Sequence, residues 1–384
     1  TIQIDDDLLC NVGTAKINTS GGCPSGNEGV MYTLEFNGQD DNTSTQVIQV
    51  YDANENDIDL DNIIINRQSN GTADANTVIY LRGDALAGGD YDIQGDLTIS
   101  GGNLEIDDDC EFIGTAGGLF TMAAGTYLTL QGQDDNAGTD QFPHGFVTGN
   151  ITFDPTSTVR FIKSTRNNGA VADGDQEISG TPVYGNLYFS GGDTKTALAD
   201  ITMTGDLYIA ANTTLDDDGN TITVNNDNGD DDTFTMETGA SLLVGATTFP
   251  TNVVNGGFNA YAFDNTLGGE SLVHYDRAGD QDIEGISGAG TNAYAQVRLG
   301  GTGTKTLKGA MDVNDLLTVD NNITFLNNDG GTGYAITFDA GNGNSDWTMS
   351  GAGASYTAGS ASSINFSGTA HTLTPVSYTH LTLP

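Results

Sequence analysis

Positive charge is the scarcest property of this sequence. Eleven Lys and Arg face 52 Asp and Glu, a formal net charge of −41 at pH 7. Nucleic acid phosphates and anionic headgroups bind by exchanging counterions for clusters of Lys and Arg, so neither DNA, RNA nor a membrane surface is an expected partner. Proline is scarce too, with seven in 384 residues, and no Pro-marked linker separates one stretch from the next. Three cysteines, Cys10, Cys23 and Cys110, form no CxxC pair with zinc or redox spacing. No apolar run has the length of a membrane span, so no membrane insertion is expected. Helical spacing of apolar residues is absent throughout, and no Met begins the chain, which reads as a processed or excised piece.

What the chain does have is internal repetition. Gly95-Asp96-Leu97-Thr98-Ile99 returns 110 residues later as Gly205-Asp206-Leu207-Tyr208-Ile209, and the same step leads to Asp315-Leu316-Leu317-Thr318-Val319. Thr194-Lys195-Thr196 matches Thr304-Lys305-Thr306, and Phe120-Thr121-Met122 returns as Phe234-Thr235-Met236 and Trp347-Thr348-Met349. A further column holds Gln46, Gln176, Gln281 and His371. Repeat starts fall near Thr33, Thr158, Ser271 and Ser363. The expected organisation is an N-terminal cap over 1–32, repeats over 33–157, 158–270 and 271–362, a truncated fourth over 363–375, and a tail over 376–384.

Each repeat is a series of short segments with an apolar residue at every second position, the period of a strand with one buried face. Between them stand Gly-Gly, Asp-Gly, Asn-Gly and Asn-Asn pairs, which accept positive φ and make tight turns. With 53 Gly the chain turns often while keeping its backbone donors. The pattern predicts an all-β fold, a parallel β-helix or β-solenoid of tandem repeats, with about 22 residues and one rung of strand pairing per coil. A string of β-sandwich domains, one per repeat, is the alternative.

The units Tyr-x-Asn-Leu-x-Phe-x-Gly-Gly-x-Thr-Lys-Thr and Gly-Asp-Leu-x-Ile, spread over about Thr33 to Thr374, resemble the repeats of large secreted bacterial surface proteins of adhesin-like, parallel β-helix architecture. The resemblance implies an extracellular, cell-surface location and an adhesive or envelope role. Val376-Ser-Tyr-Thr-His-Leu-Thr-Leu-Pro384 resembles the translation of a sequencing adaptor, which implies a gene from a metagenomic assembly and leaves His380 and Tyr378 without functional weight.

Candidate chemistry is concentrated in carboxylates. Asp52, Asn54, Asn56, Asp57 and Asp59 place oxygen ligands at near-alternate positions, like the start of a calcium loop, but Asp57 stands where the tight turn wants Gly and Ile63 where the bidentate Glu belongs. Asp107-Asp108-Asp109, Asp216-Asp217-Asp218 and the acidic run 225–232 are further acidic turns that would suit structural Ca2+ or plain solvation. Cys10 and Cys23 bracket a Gly-, Ser- and Thr-rich stretch and suit a local disulfide; Cys110, beside Phe112, reads as a buried small apolar residue. Gly300–Thr306 lacks the Gly directly before Lys and the following helix that a phosphate loop needs. His144, His274 and His371 stand in no catalytic motif, and a polar column on a coil face accounts for His371 and its Gln equivalents.

These readings converge on a non-enzymatic structural or adhesive segment with no cofactor. Its partners would be surface glycans or other surface proteins, and head-to-tail self-association would occur through exposed strand ends. A carbohydrate-active β-helix enzyme, a polysaccharide lyase or hydrolase, is the alternative; a calcium-dependent glycan- or protein-binding module is a third. An enzyme would show carboxylates converging on one coil face beside an Arg or Lys.

Overall fold

The computed structural model describes residues 2–3, 8–11, 33–36, 39–40, 46–51, 58–60, 62–66, 68–69, 78–82, 89–106, 110–131, 142–162, 176–225, 232–248, 258–266, 268–288, 292–339, 346–351, 353–367 and 372–375. Apart from a single 3-10 turn at Thr148–Asn150, every regular element among them is a β-strand. The contacts divide the chain into two compact units, one of residues 1–191 and 201–205, the other of residues 192–200 and 206–384.

In the first unit the strands pair in parallel, each with the strand one coil earlier and one coil later. Ile79, Leu104, Leu128, Val159 and Leu187 follow one another in register, and Leu34, Ile63, Leu97, Phe120 and Ile151 form a second such series. The early strands Ile2–Gln3 and Leu8–Asn11 join these sheets opposite Leu34–Glu35 and Ile48–Tyr51. This is a parallel β-helix, as the repeats predict.

The second unit is built the same way. Leu215, Leu242, Val273, Val297, Leu317 and Trp347 stack in register, all of them buried. Period-two alternation explains why: in Leu272–Tyr275 the second and fourth side chains are buried and the other two are not. Each fully buried Leu, Val or Phe contributes about 1.5–3 kcal/mol by leaving water.

Two features differ from the sequence expectation. The coil is larger: the steps from Ile79 through Leu104, Leu128 and Val159 to Leu187 are 25, 24, 31 and 28 residues. Equivalent repeat positions also do not stack on one another. Leu207 and Leu317 are both fully buried, yet they lie in different sheets of the second unit, so a 110-residue repeat does not close on the face where it began. The residues that stack are the two repeat columns against each other: Leu97 on Phe120, Leu207 on Phe234, Leu317 on Trp347.

Turns are fixed by residues that tolerate the left-handed region. Asn212 and Asn322, 110 positions apart, have φ of 58° and 63°, where a short amide side chain costs less than a branched one.

Candidate functional site

The sequence-designated residues divide into three groups. Asp52, Asn54, Asn56, Asp57, Cys23, Asp107–Asp109 and His371 lie outside the described residues. Cys10, Asp59 and Cys110 lie on the strands Leu8–Asn11, Ile58–Leu60 and Cys110–Ile113, and of these three residues only the backbone is described. The acidic turn Asp216–Asp218 and His274 are described in full, and of the acidic run 225–232 only Asn225 and Asp232 lie among the described residues.

In the turn Asp216–Asp218 the three carboxylates part company. Leu215 points inward, so Asp217, two positions on, does too, and it is 1% exposed. Its Oδ1 accepts from the backbone N–H of Gly219, Gly245 and Ala246 at 2.8, 2.7 and 3.2 Å, fastening this coil to the next. Burial outweighs these three donors and pushes its carboxyl up to about 6. Asp216 points outward and Asp218 is exposed. Among the described residues no group of three or more His, Cys, Asp or Glu side chains is arranged to hold a metal ion.

The two described members of the Gln column, Gln176 and Gln281, lie inside the coil instead of on an outer face. Gln176 and Gln281 are 1% and 2% exposed. Each donates its amide to a strand-end carbonyl of an earlier coil, Gln176 to Leu130 at 3.1 Å and Gln281 to Val244 at 2.6 Å and Ala246 at 2.8 Å. Beyond Gln281 the Lys of the Thr-Lys-Thr unit is also inside. Lys305 is fully buried, and its Nζ donates to Gln281 Oε1 and to the carbonyls of Arg277 and Gly279 at 2.8, 2.9 and 3.3 Å. Burial pulls its amine down to about 8. Sequence reasoning treated this Lys only as part of a turn and strand, yet the signal was present: in Thr304-Lys305-Thr306-Leu307 the Lys shares its phase with Leu307.

Arg160, Arg277 and Lys308 also span coils. Arg160 has its guanidinium 4.9 Å from the Tyr127 ring and 5.3 Å from the Tyr188 ring, on the strands before and after its own. Arg277 Nη1 donates to the Gly245 carbonyl at 3.1 Å, and Lys308 meets Asp282 at 3.3 Å and Asp329 at 3.2 Å. Lys195 is fully buried.

One outer face of the second unit brings apolar and charged side chains into two adjacent columns. Across the parallel strands Thr213–Asp216, Ser241–Val244, Leu272–Tyr275, Tyr294–Leu299, Met311–Val319 and Asp346–Met349, one column reads Asp216, Leu243, His274, Arg298, Thr318, Thr348. The column beside it reads Ser241, Leu272, Gln296, Leu316, Asp346. Three half-exposed leucines, Leu243, Leu272 and Leu316, thus surround His274 and Arg298. Arg298 Nε donates to Asp320 Oδ2 at 2.9 Å, and Ser350 Oγ donates to Asp320 Oδ1 at 3.2 Å. His274 leans over Gly300, where a Cβ would collide with its Nε2. Burial, and then the Arg298 charge, lower the affinity of His274 for a proton, against the opposing pull of Asp276 and Asp320. Gln296 Nε2 bridges Asp315 at 2.7 Å and Glu270 at 3.5 Å. Burial raises the carboxyl of Asp216, with Asp276 and Asp218 adding repulsion; burial raises Asp315 likewise, with Glu270 and Asp346 adding theirs.

No helix among the described residues is long and apolar enough to cross a membrane. Comparison with protein-family models, with curated proteins and with solved structures returned no match to this chain.

Proposed function

We propose that the chain is a non-enzymatic structural or adhesive segment of a secreted cell-surface protein, its coils forming a scaffold that displays acidic outer faces. The observation that carries this reading is the use made of the scarce cations. Arg160, Arg277, Arg298, Lys305 and Lys308 each bind a group on a neighbouring coil, which spends them on holding rung to rung. An enzyme acting on acidic polysaccharide would need such cations free to meet its substrate's carboxylates. The Arg298–Asp320 pair with His274 and Asp276 is the arrangement nearest to such a site, and there the guanidinium is already engaged by Asp320.

Two measurements test the reading together. The purified chain, incubated with neutral and acidic polysaccharides, is expected to release no reducing ends and no unsaturated sugars. Displayed on a non-adherent bacterium, it is expected to increase retention on surfaces coated with glycans or with surface proteins. Cleavage would replace this reading with a carbohydrate-active β-helix enzyme; no cleavage with no retention would leave only the scaffold. Structural Ca2+ in the acidic turns is proposed on the same footing, and a melting temperature unmoved by chelator would remove it. Head-to-tail association through free strand ends is a further part of the proposal, and a monomer at every concentration of a sedimentation series would discard it.

A further inference from the structure

Arg160, in the first unit, differs from the other described cations in what it touches. Arg277, Arg298, Lys305 and Lys308 each give an N–H to a carbonyl or carboxylate oxygen. Arg160 gives none to any described residue and meets only the rings of Tyr127 and Tyr188, at 4.9 and 5.3 Å. Its Nε is shut off from solvent without an acceptor, which leaves the two Nη groups as the outward end of a half-buried side chain. The faces of the guanidinium thus hold rung to rung while its edge stays unoccupied. The hydroxyl of Tyr127 likewise has no partner among the described residues. Along its column Arg160 has Thr129 on one side and Tyr188 on the other. The Glu105 carboxylate stands one strand beyond Thr129, about 10 Å off by strand spacing, and accepts from the Gln131 amide.

We infer that Arg160 and Tyr127 form a binding site for a single acidic sugar at the end of an otherwise neutral glycan. The inference rests on the adhesive half of the proposed function and names the glycan class. A carboxylate meets the two Nη groups as a bidentate pair, the geometry a guanidinium favours most. The flanking rings already fix the plane of that fork, so little freedom is lost on binding. A sugar hydroxyl beside the carboxylate then reaches the Tyr127 hydroxyl, and the C–H edge of the sugar lies against the aromatic rims. An acidic peptide offers the carboxylate without that ring of hydroxyls. A polymer of acidic sugars brings many charges into the field of a chain at −41. One carboxylate at Arg160 meets chiefly the local cation, because exposed charges more than about 8 Å away are screened at physiological salt. Glu105 is the one carboxylate among the described residues of this column, and glycoside cleavage needs a pair, so a bound sugar is held and not cut.

The test is titration calorimetry of the full chain with lactose and with lactose capped by one sialic acid or one glucuronic acid, each acidic cap also as its methyl ester. At least one capped form is expected to bind about tenfold tighter than lactose and than its own ester. Arg160→Lys keeps the charge and loses the fork, and should weaken that binding about tenfold. Tyr127→Phe keeps the ring and loses the hydroxyl, and should weaken it about fivefold; this variant stays readable even if Arg160→Lys folds poorly. Arg298→Lys, whose guanidinium already pairs with Asp320, should leave binding unchanged. No preference for a carboxylate over its ester would overturn the inference, and so would binding that either Arg160→Lys or Tyr127→Phe leaves untouched. Equal affinity for a Glu-Gly-Glu peptide would overturn the choice of a sugar. Retention of the displayed chain on glycan surfaces without any such preference would discard this site and keep the adhesive reading, whereas loss of all retention would remove the reading on which the site rests.

Discussion

Lys305 Nζ donates to Gln281 Oε1 at 2.8 Å, and Gln281 passes the connection on by donating its own amide to Val244 and Ala246. Three successive coils of the second unit are joined inside the core by one polar chain. Each member is satisfied, which is the condition under which a buried polar group is tolerated.

Removing the middle of that chain should therefore be costly. Gln281→Leu takes a donor from two buried carbonyls and an acceptor from a buried ammonium, each worth about 1–3 kcal/mol when left without a partner. We expect a loss of about 3–5 kcal/mol in denaturant unfolding of the second unit. A change below about 1 kcal/mol would mean that water replaces the amide at no cost.

The same Lys sets a pH dependence. Its amine is pulled from 10.5 to about 8 in the folded chain, so between those values the unfolded chain holds a proton that the folded chain has released. Unfolding then takes up a proton, and stability rises with pH through this window. Lys305→Met lacks this titration. The stability of the native chain relative to Lys305→Met should therefore increase from pH 8 to pH 10, and a flat difference would contradict it. Tyr275 and Tyr294, whose ionisation burial opposes, are common to both proteins and cancel.

Glycine is required where the coil turns past His274. At Gly300 a Cβ would strike His274 Nε2, and at Gly301, with φ of 73°, it would strike the carbonyls of Asp276 and Arg277. Gly301→Ala meets backbone on both counts and should cost about 2–4 kcal/mol. Gly300→Ala meets a side-chain ring that can swing outward, and should cost about 1 kcal/mol or less. Equal costs in thermal melts would mean that His274 is held as firmly as backbone.

Much of this architecture was legible from period and repetition. Leu97, Leu207 and Leu317 could be placed inside because alternation fixes phase, and their stacking on Phe120, Phe234 and Trp347 follows from two columns recurring together. The size of a coil was not legible, since alternation fixes which side chains point inward but not how many residues separate one strand from its partner. Neither was the polar interior. Lys305, Gln281 and Asp217 sit in the phase of apolar neighbours, and composition argues them outward because a charged side chain is seldom buried without partners. Their partners are backbone groups of neighbouring coils, which no local pattern reveals. The mixed face around Arg298 was hidden for a related reason: Asp216, Leu243, His274 and Arg298 are 27, 31 and 24 residues apart in turn, and unequal coils bring them into line.

Asp217 gives the sharpest discrimination between a charge and a hydrogen-bond acceptor. Asp217→Ala leaves the N–H groups of Gly219, Gly245 and Ala246 without their acceptor and should cost about 3–5 kcal/mol. Asp217→Asn keeps an oxygen for those donors and removes a buried charge, so at pH 7 it should lie within about 1 kcal/mol of the native chain. The two should also separate with pH. Because the folded carboxyl is raised from 3.8 to about 6, the folded chain binds the extra proton between those values, and the native chain loses stability as pH rises from 4 to 6. Asp217→Asn has no such proton to lose, so its stability relative to the native chain should climb across that interval and level off above about pH 6. A difference that falls instead would mean that the three N–H donors outweigh burial and hold the carboxyl below its ordinary value.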